Sequence, residues 1–241
     1  MFQTTWASQW DALLSDPAAL QVLDGIETQL DGTDYYPQKE RVLRFLDMET
    51  PVRYCIVGMD PYPSWNERDG CPVATGRSFE VSELYGQGWD RKIRQASLRN
   101  MVKAIYYNKT GTNPPMAEVR EQIASGAFPI APPTAWFDAL EAQGVLFLNS
   151  TLTVAPGKPG SHQKLWEPFR ALLIPYLEQT GAVFMLWGNN AQAEVSAYLT
   201  DEAKVLTAPH PRMAEFVTQN TFRDAADIDW LGSGTKSFGF I

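Results

Sequence analysis

Cysteine and histidine are scarce in this chain, which has two of each among its 241 residues. Cys55 lies in an apolar run and Cys71 in a loop-like stretch, and neither forms a metal-ligand spacing with His162 or His210. This pattern excludes a disulfide framework and a paired metal motif. We therefore interpret both cysteines as reduced thiols of a cytoplasmic protein, and we expect neither a metal nor a cofactor.

Long hydrophobic runs and an excess of basic residues are also lacking. No apolar run approaches membrane-spanning length and no N-terminal segment resembles a signal peptide, so we expect no membrane partner. The chain has no low-complexity stretch, internal repeat or Gly/Ser linker, which favours a single domain over residues 1–241. The formal net charge of −8 argues against strong non-specific affinity for nucleic acid, but not against a local basic site.

What the chain does contain is four short apolar runs separated by helical patterns. The runs cover residues 52–57, 145–148, 182–187 and 204–207. Apolar residues at spacings of three and four predict helices over residues 38–46, 97–107, 134–142, 164–178 and 190–199, with two more over 5–14 and 18–30. This alternation predicts an α/β protein with three layers, α/β/α, around a central four-stranded parallel sheet.

Each apolar run ends in a polar residue or a turn. Asp60 follows Gly58 after the first run, Asn149 ends the second, Gly188 and Asn189 follow the third, and His210 follows the fourth. In open α/β sheets ligands bind beyond the carboxyl ends of the strands. An amide suits the edge of a planar base, and backbone N–H groups at a helix start suit an anion. The four strand ends therefore predict one binding rim.

Each of these side chains also has a plainer interpretation. Asp60 could cap a turn, as in many Asp-Pro pairs, and Asn149 could cap the turn that follows it. His210 could be a partner for a neighbouring carbonyl. Two aromatic residues of the chain also have plain interpretations: Tyr62, which follows Asp60 and Pro61, could be a packing residue, and Phe79 could be ordinary core. The interpretation of a basic cluster around Ser97 is equally open, because such a cluster suits either a phosphate site or a solvated helix face. Its members are Arg91, Lys92, Arg94, Arg99 and Lys103.

Five motifs occur in one order along the chain. They are GMDPY at 58–62, FLNSTLTV at 147–154, SHQKLWEPF at 161–169, LWGNNAQ at 186–192 and APHP at 208–211. Their order and spacing resemble those of family 1 uracil-DNA glycosylases, and the resemblance covers residues 38 to 230. It implies an enzyme that flips deoxyuridine out of DNA and hydrolyses its N-glycosidic bond, which releases uracil and leaves an abasic site.

The resemblance implies a role for each residue of the site. Asp60 corresponds to the carboxylate that orients the attacking water and stabilises the cationic sugar. Phe79 corresponds to the aromatic that stacks on the flipped base, and Asn149 to the amide that pairs with its polar edge. Tyr62 corresponds to the residue that packs against C5 and rejects thymine, and His210 to a neutral imidazole that donates to O2 of the leaving base.

Two residues of the GMDPYP segment depart from the family's GQDPYH pattern. Met59 stands where the family has a glutamine in the base pocket, and Pro63 stands where it has a histidine expected to touch phosphate. Ser97 is still expected to contact phosphate. The other DNA-binding residues that the resemblance implies are Gly188, Asn189, Arg212 and Met213.

The segment after APHP departs further. Where the family has a leucine that fills the hole left by the flipped base, this chain has Ala214, which is too small, and Met213 is the apolar side chain that could replace it. We expect weakened duplex invasion and a preference for single-stranded DNA, because unstacking a base costs less there. We also expect reduced binding of DNA-mimic inhibitor proteins, which grip this loop.

Uracil-containing DNA, single- or double-stranded, is the expected partner, and the protein is expected to be a monomer. Two alternatives stay open from the sequence. One is a non-catalytic relative that binds DNA or a replication partner, and the other is a glycosylase for another damaged base. Tyr62 argues against a 5-substituted pyrimidine, and Asn149 argues for a uracil-like edge.

Overall fold

The computed structural model describes residues 2–234, so the C-terminal tail from residue 235 onward lies outside the description. The strands of this part are β1 (Tyr54–Gly58), β2 (Trp65–Asn66), β3 (Cys71–Pro72), β4 (Val145–Asn149), β5 (Val183–Trp187) and β6 (Val205–Ala208). Four of them form a parallel sheet in the order β4-β1-β5-β6. The predicted four-stranded parallel sheet is therefore confirmed.

Helices cover both faces of this sheet. They are α1 (Asp11–Leu14), α2 (Pro17–Leu30), α3 (Ala96–Thr110), α4 (Met116–Ala124), α5 (Pro133–Glu141), α6 (Gln163–Gln179) and α7 (Asn189–Ser196). Ile56 and Phe147 belong to a hydrophobic core shared with α3, α4 and α5, whereas Cys55 and Leu146 belong to a second core shared with α1, α2, α6 and α7. Because successive strand residues point to opposite faces, this alternation produces the predicted three layers.

The predicted helix over residues 38–46 is wrong. Two short 3-10 segments stand there, Lys39–Arg41 and Arg44–Asp47. The buried side chains of this stretch are spaced three residues apart, Val42 with Phe45 and Leu43 with Leu46. A 3-10 helix places residues i and i+3 on one face, so this spacing suits it as well as it suits an α-helix.

Other differences concern boundaries and small elements. The predicted helix over 5–14 is helical only from Ser8, and the one over 190–199 ends at Ser196. The sequence did not predict α4 or the antiparallel pair β2 and β3. The fourth run forms an edge strand, and it is buried only at Ala208. The other edge strand, β4, is buried at every residue, so the edge position alone does not account for this exposure.

Candidate active site

The loop after β1 is held against the loop after β4. The parallel pairing continues past the strands, because Ser150 N–H donates to Gly58 O at 2.9 Å and Thr151 N–H donates to Met59 O at 3.0 Å. Gly58 leaves no space for a side chain, since a Cβ there would lie 2.6 Å from Asn149 Oδ1. The glycine therefore lets the Asn149 amide lie directly over the β1 backbone, next to Asp60.

The Asp60 carboxylate is partly buried at this edge of the sheet. Its Oδ2 accepts a hydrogen bond from Gly160 N–H at 2.8 Å, while Oδ1 is buried without a hydrogen-bond partner among the described residues. Burial raises the pKa of Asp60 above its ordinary value, and the Glu194 charge adds to this, against the opposing Gly160 hydrogen bond. One oxygen is thus fixed and the other is available to accept a proton or a hydrogen bond.

His210 is held in a single orientation by its own loop. Its Nδ1 accepts a hydrogen bond from Arg212 N–H at 3.0 Å, so in the neutral ring Nε2 carries the proton. Burial lowers the pKa of His210, and the positive charge of Arg212 lowers it further. The side chain is therefore a neutral imidazole at neutral pH, with Nε2 as its donor.

The predicted catalytic and base-binding residues converge on one cavity of about 170 Å³. Its lining includes Asp60 and His210 from the predicted catalytic residues, Met59, Tyr62, Phe79 and Asn149 from the predicted base-binding residues, and Ser97 from the predicted DNA-binding residues. The Asn149 amide has no side-chain partner among the described residues and is nearly buried. The amide can therefore both donate to and accept from a ligand in the cavity. Burial raises the pKa of Tyr62 to about 12, so its hydroxyl stays protonated.

Sequence reasoning missed part of this lining. The missed residues are Val57, Gly58, Trp187, Asn190 and Ala191. The Trp187 ring packs beside Phe79 with centroids 5.9 Å apart. The Asn190 amide donates to Met59 Sδ at 3.0 Å. Trp187 could have been found from its position, because it is the last residue of a buried strand before the Gly188 turn.

Phe79 adopts a backbone conformation that bulky residues avoid, with φ of +64°. A strained backbone conformation persists only where surrounding contacts hold it. Here the contacts of Arg77, two residues before Phe79, hold the loop. The buried Arg77 guanidinium pairs with Glu80 at 3.1 Å, with Asp138 at 2.7 Å and with Glu141. Phe79 therefore belongs to the hydrophobic core and at the same time lines the cavity.

A larger groove of about 690 Å³ opens outside this cavity and shares Met59, Asp60, Tyr62 and His210 with it. The predicted DNA-binding residues other than Ser97 lie along the groove, namely Pro63, Gly188, Asn189, Arg212 and Met213. Ser97 lies at the start of α3 and lines the inner cavity instead.

Met213, rather than Ala214, lines the groove, and 46% of its surface is exposed. Ala214 instead begins a 3-10 helix, Ala214–Thr218. The loop is tied to α3, because the Asn100 amide donates to Pro211 O at 2.7 Å and to Met213 O at 3.1 Å. An apolar side chain thus stands on an anchored loop at the mouth of the site.

The predicted basic cluster separates into two groups. Arg91, Lys92 and Arg94 are exposed. Arg99 donates from its guanidinium to Ile93 O at 2.8 Å and to Arg94 O at 2.7 Å, so it holds the preceding loop. Lys103 is partly buried, which lowers its pKa.

Other site types receive no support from the described residues. Within residues 2–234, no group of three or more His, Cys, Asp or Glu side chains could hold a metal ion. No helix in that range has the length and apolar content needed to span a membrane. Cys55 is buried and Cys71 half-buried, and both are free thiols.

Comparisons with known proteins agree on one kind of relative, although no family model matches the chain. The chain is 34% identical to the uracil-DNA glycosylase of Exiguobacterium sibiricum over 80% of this chain and 76% of the relative. It is 32% identical to the uracil-DNA glycosylase of Idiomarina loihiensis, over 90% of this chain and 93% of that relative. Its fold is similar to crystal structures of UNG from Nitratifractor salsuginis, at 22% identity with a TM-score of 0.71 over 91% and 90% of the two chains. It is also similar to mimivirus uracil-DNA glycosylase, at 21% identity with a TM-score of 0.61 over 84% and 68%.

Proposed function

This chain belongs to the uracil-DNA glycosylase family, and we infer from its site that it excises uracil from DNA as a monofunctional N-glycosidic hydrolase. The observation that carries this inference is the convergence of Asp60, Asn149 and His210 on one small cavity lined by aromatic rings. A duplex hides the glycosidic bond, so the deoxyuridine must leave the stack to reach this cavity.

Base recognition falls to three side chains. Phe79 stacks on the flipped base, and the unpaired Asn149 amide meets the adjacent carbonyl and N–H of uracil. Cytosine would present a mismatched donor and acceptor pattern to the same amide. Tyr62, fixed in the apolar part of the cavity, occupies the space that the thymine methyl group would need. Met59 contributes only an apolar wall, which a hydrogen bond from Asn190 holds in place.

Bond cleavage falls to Asp60 and His210. As the C1′–N1 bond breaks, its electron pair leaves with uracil, and His210 Nε2–H donates to O2 of the resulting anion. The ionised Asp60 stabilises the cationic sugar and orients water through Oδ1, while Gly160 holds Oδ2. Water oxygen bonds to C1′ and its proton passes to Asp60, which the raised pKa of this carboxyl favours.

The outer groove receives the DNA strand. Gly188 and Asn189 place the first backbone N–H groups of α7 along the groove, where a phosphate would be stabilised. Arg212 adds a positive charge, and Ser97 adds a hydroxyl at the α3 start. Pro63 contributes shape but has no donor. We propose that the chain forms one domain and acts as a monomer, and its two free cysteines suit a cytoplasmic location.

The direct test is excision from end-labelled oligonucleotides that carry one deoxyuridine, followed by alkali cleavage of abasic sites. Cleavage of the deoxyuridine strand, with no cleavage of matched thymidine and cytidine strands, is the expected result. A protein that binds the oligonucleotide without cleaving it would instead be a non-catalytic relative. Cleavage only at another damaged base would indicate the third candidate function.

Gly188→Ala is expected to lower kcat/KM for excision about 100-fold, because small displacements of catalytic groups have effects of this size. Gly188 has φ of +93°, and a Cβ there would lie 2.8 Å from His210 Cβ. Gly126→Ala is the matched control, since Gly126 has φ of +78° with nothing within 4 Å of its Cβ. Both variants should lose thermal stability. Equal activity in the two would show that the Gly188 contact with His210 is unimportant.

Strand preference depends on Met213 at the mouth of the groove. We expect kcat/KM to be at least about tenfold higher for single-stranded than for paired deoxyuridine, because a flexible methionine fills the vacated stack poorly. Met213→Ala should widen this gap and Met213→Leu should narrow it. Rates measured on single strands and on duplexes with adenine or guanine opposite test this. Equal rates in wild type, unchanged by Met213→Ala, would refute the preference.

Sensitivity to protein inhibitors depends on the same loop. A mimivirus UNG variant of similar fold was crystallised in complex with UGI. We expect UGI to bind this chain more weakly than it binds that protein, because Met213 and Ala214 replace the residues that a DNA mimic grips. Titration of excision with UGI, with the mimivirus protein as the positive control, measures the difference. Equally tight inhibition of both would contradict the expectation.

A further inference from the structure

A second groove, of about 510 Å³, lies beside the catalytic groove and has its own chemistry. Two chain segments join them. Pro63 lines the catalytic groove and Trp65 the second groove, while Gln95 lines the second groove and Ser97 the inner cavity. One residue lies between the members of each pair, so their Cα atoms are roughly 7 Å apart at most. A strand bound at the cavity can therefore continue into the second groove.

The second groove is positive although the protein carries a net charge of −8. Its lining contains four basic side chains, Arg68, Arg91, Lys92 and Arg94, and two acidic ones, Glu67 and Glu83. Arg94 lies 3.7 Å from Glu83, and Arg68 pairs with Asp69. Arg91 and Lys92 have no ion pair among the described residues. The local excess of cations suits a polyanion.

Trp65 supplies the second element, an aromatic surface. It is 44% exposed, and the other exposed large hydrophobic side chains of the described chain are Met213 and Val205. Its backbone is held in β2 by pairing with β3, and the neighbouring Asn66 is buried and donates to Ser82 Oγ at 3.1 Å. The indole ring itself packs beside Tyr36, with ring centroids 5.9 Å apart, so one side of it is supported by the protein.

We propose that this groove binds single-stranded DNA flanking the flipped nucleotide, with a base stacked on Trp65 and phosphates on Arg91 and Lys92. Aromatic stacking combined with a basic track is the usual chemistry of single-strand binding without sequence preference. This inference rests on the proposed function and extends it. The second groove would add binding energy for single-stranded DNA in an enzyme whose Met213 is poorly suited to invading duplexes.

The test measures KM on single-stranded substrates in which thymidines extend one side or the other of the deoxyuridine. Extension on one side lowers KM for wild type. Trp65→Ala raises KM for that long substrate about tenfold, with a smaller change for the short one, while Trp65→Phe keeps most of the binding. Lys92→Gln weakens the salt dependence of binding, because fewer phosphates are neutralised.

Val205→Ala and Lys204→Gln are the matched controls, since both residues are exposed on the edge strand region at β6. Fluorescence anisotropy of labelled oligothymidylate, which contains no uracil, measures binding of single-stranded DNA without excision. Loss of oligothymidylate binding in Trp65→Ala supports the proposal that the second groove binds single-stranded DNA. This holds even if wild type excises no uracil and the proposed function fails. If wild type excises uracil but Trp65→Ala and Lys92→Gln have the same KM and oligothymidylate binding as the controls, the second groove is not a DNA-binding site. The proposed function then remains intact.

Discussion

Asp60→Asn is expected to lower kcat for uracil excision about 10²–10⁴-fold, the range attributed to a positioned acid or base. The amide keeps the shape of the side chain, and its oxygen can still accept from Gly160 N–H. It cannot take a proton from water or stabilise the cationic sugar by charge. Single-turnover excision measures the loss, and oligonucleotide binding should be nearly unchanged.

The same variant is expected to be more stable than wild type at neutral pH. The pKa of Asp60 is raised in the folded protein, so the fold favours the protonated form. Ionisation therefore costs stability as pH rises from the unfolded pKa to the folded pKa, and the cost persists above it. Thermal unfolding at several pH values tests this. The difference between variant and wild type should be largest at neutral pH and should vanish below the unfolded pKa.

Glu194→Gln is a control that separates the effect of the charge on Asp60 from the effect of a charge near it. Glu194→Gln removes the carboxylate that raises the pKa of Asp60 from a neighbouring position, so it should change excision far less than Asp60→Asn. It should also move the acid limb of the pH profile to lower pH. Full activity of Asp60→Asn would overturn the assignment of Asp60, whatever the stability result.

His210→Asn is expected to lower kcat about 10²–10³-fold, the cost of removing one donor to a developing anion. The asparagine oxygen can replace Nδ1 as the acceptor for Arg212 N–H, so the loop stays in place while the Nε2 donor is lost. His210→Gln makes the opposite exchange, because its amide can reach the Nε2 position but leaves Arg212 N–H unpaired. We expect His210→Gln to keep more activity and to lose more stability.

The pH dependence of stability provides an independent check on His210. Its pKa is lowered in the fold, so the unfolded chain takes up the proton first as the pH falls. Stability contributed by the neutral ring is therefore complete above the unfolded pKa and is lost between that value and the lower folded pKa. His210→Asn should remove this component from the unfolding curve. An imidazolium form detected by NMR at neutral pH would contradict the neutral donor.

The central sheet was predictable from the sequence, and so was the gathering of polar residues at one edge of it. The four apolar runs predicted β1, β4, β5 and β6, because buried parallel strands need continuous hydrophobic stretches. The polar residues at their ends predicted a common rim, because parallel strands bring their carboxyl ends to one edge. The five motifs then predicted the family that the curated relatives show.

The contacts between those residues could not be predicted from the sequence and came from the folded structure. The spacing within residues 38–46 suited two kinds of helix, and packing selected the 3-10 form. Contacts distant in sequence fixed the rest: Gly160 on Asp60, Asn190 on Met59, and the second groove formed by two separate loops. Periodicity reports only local preference, whereas burial, hydrogen bonding and pKa depend on atoms that the fold brings together from separate parts of the chain.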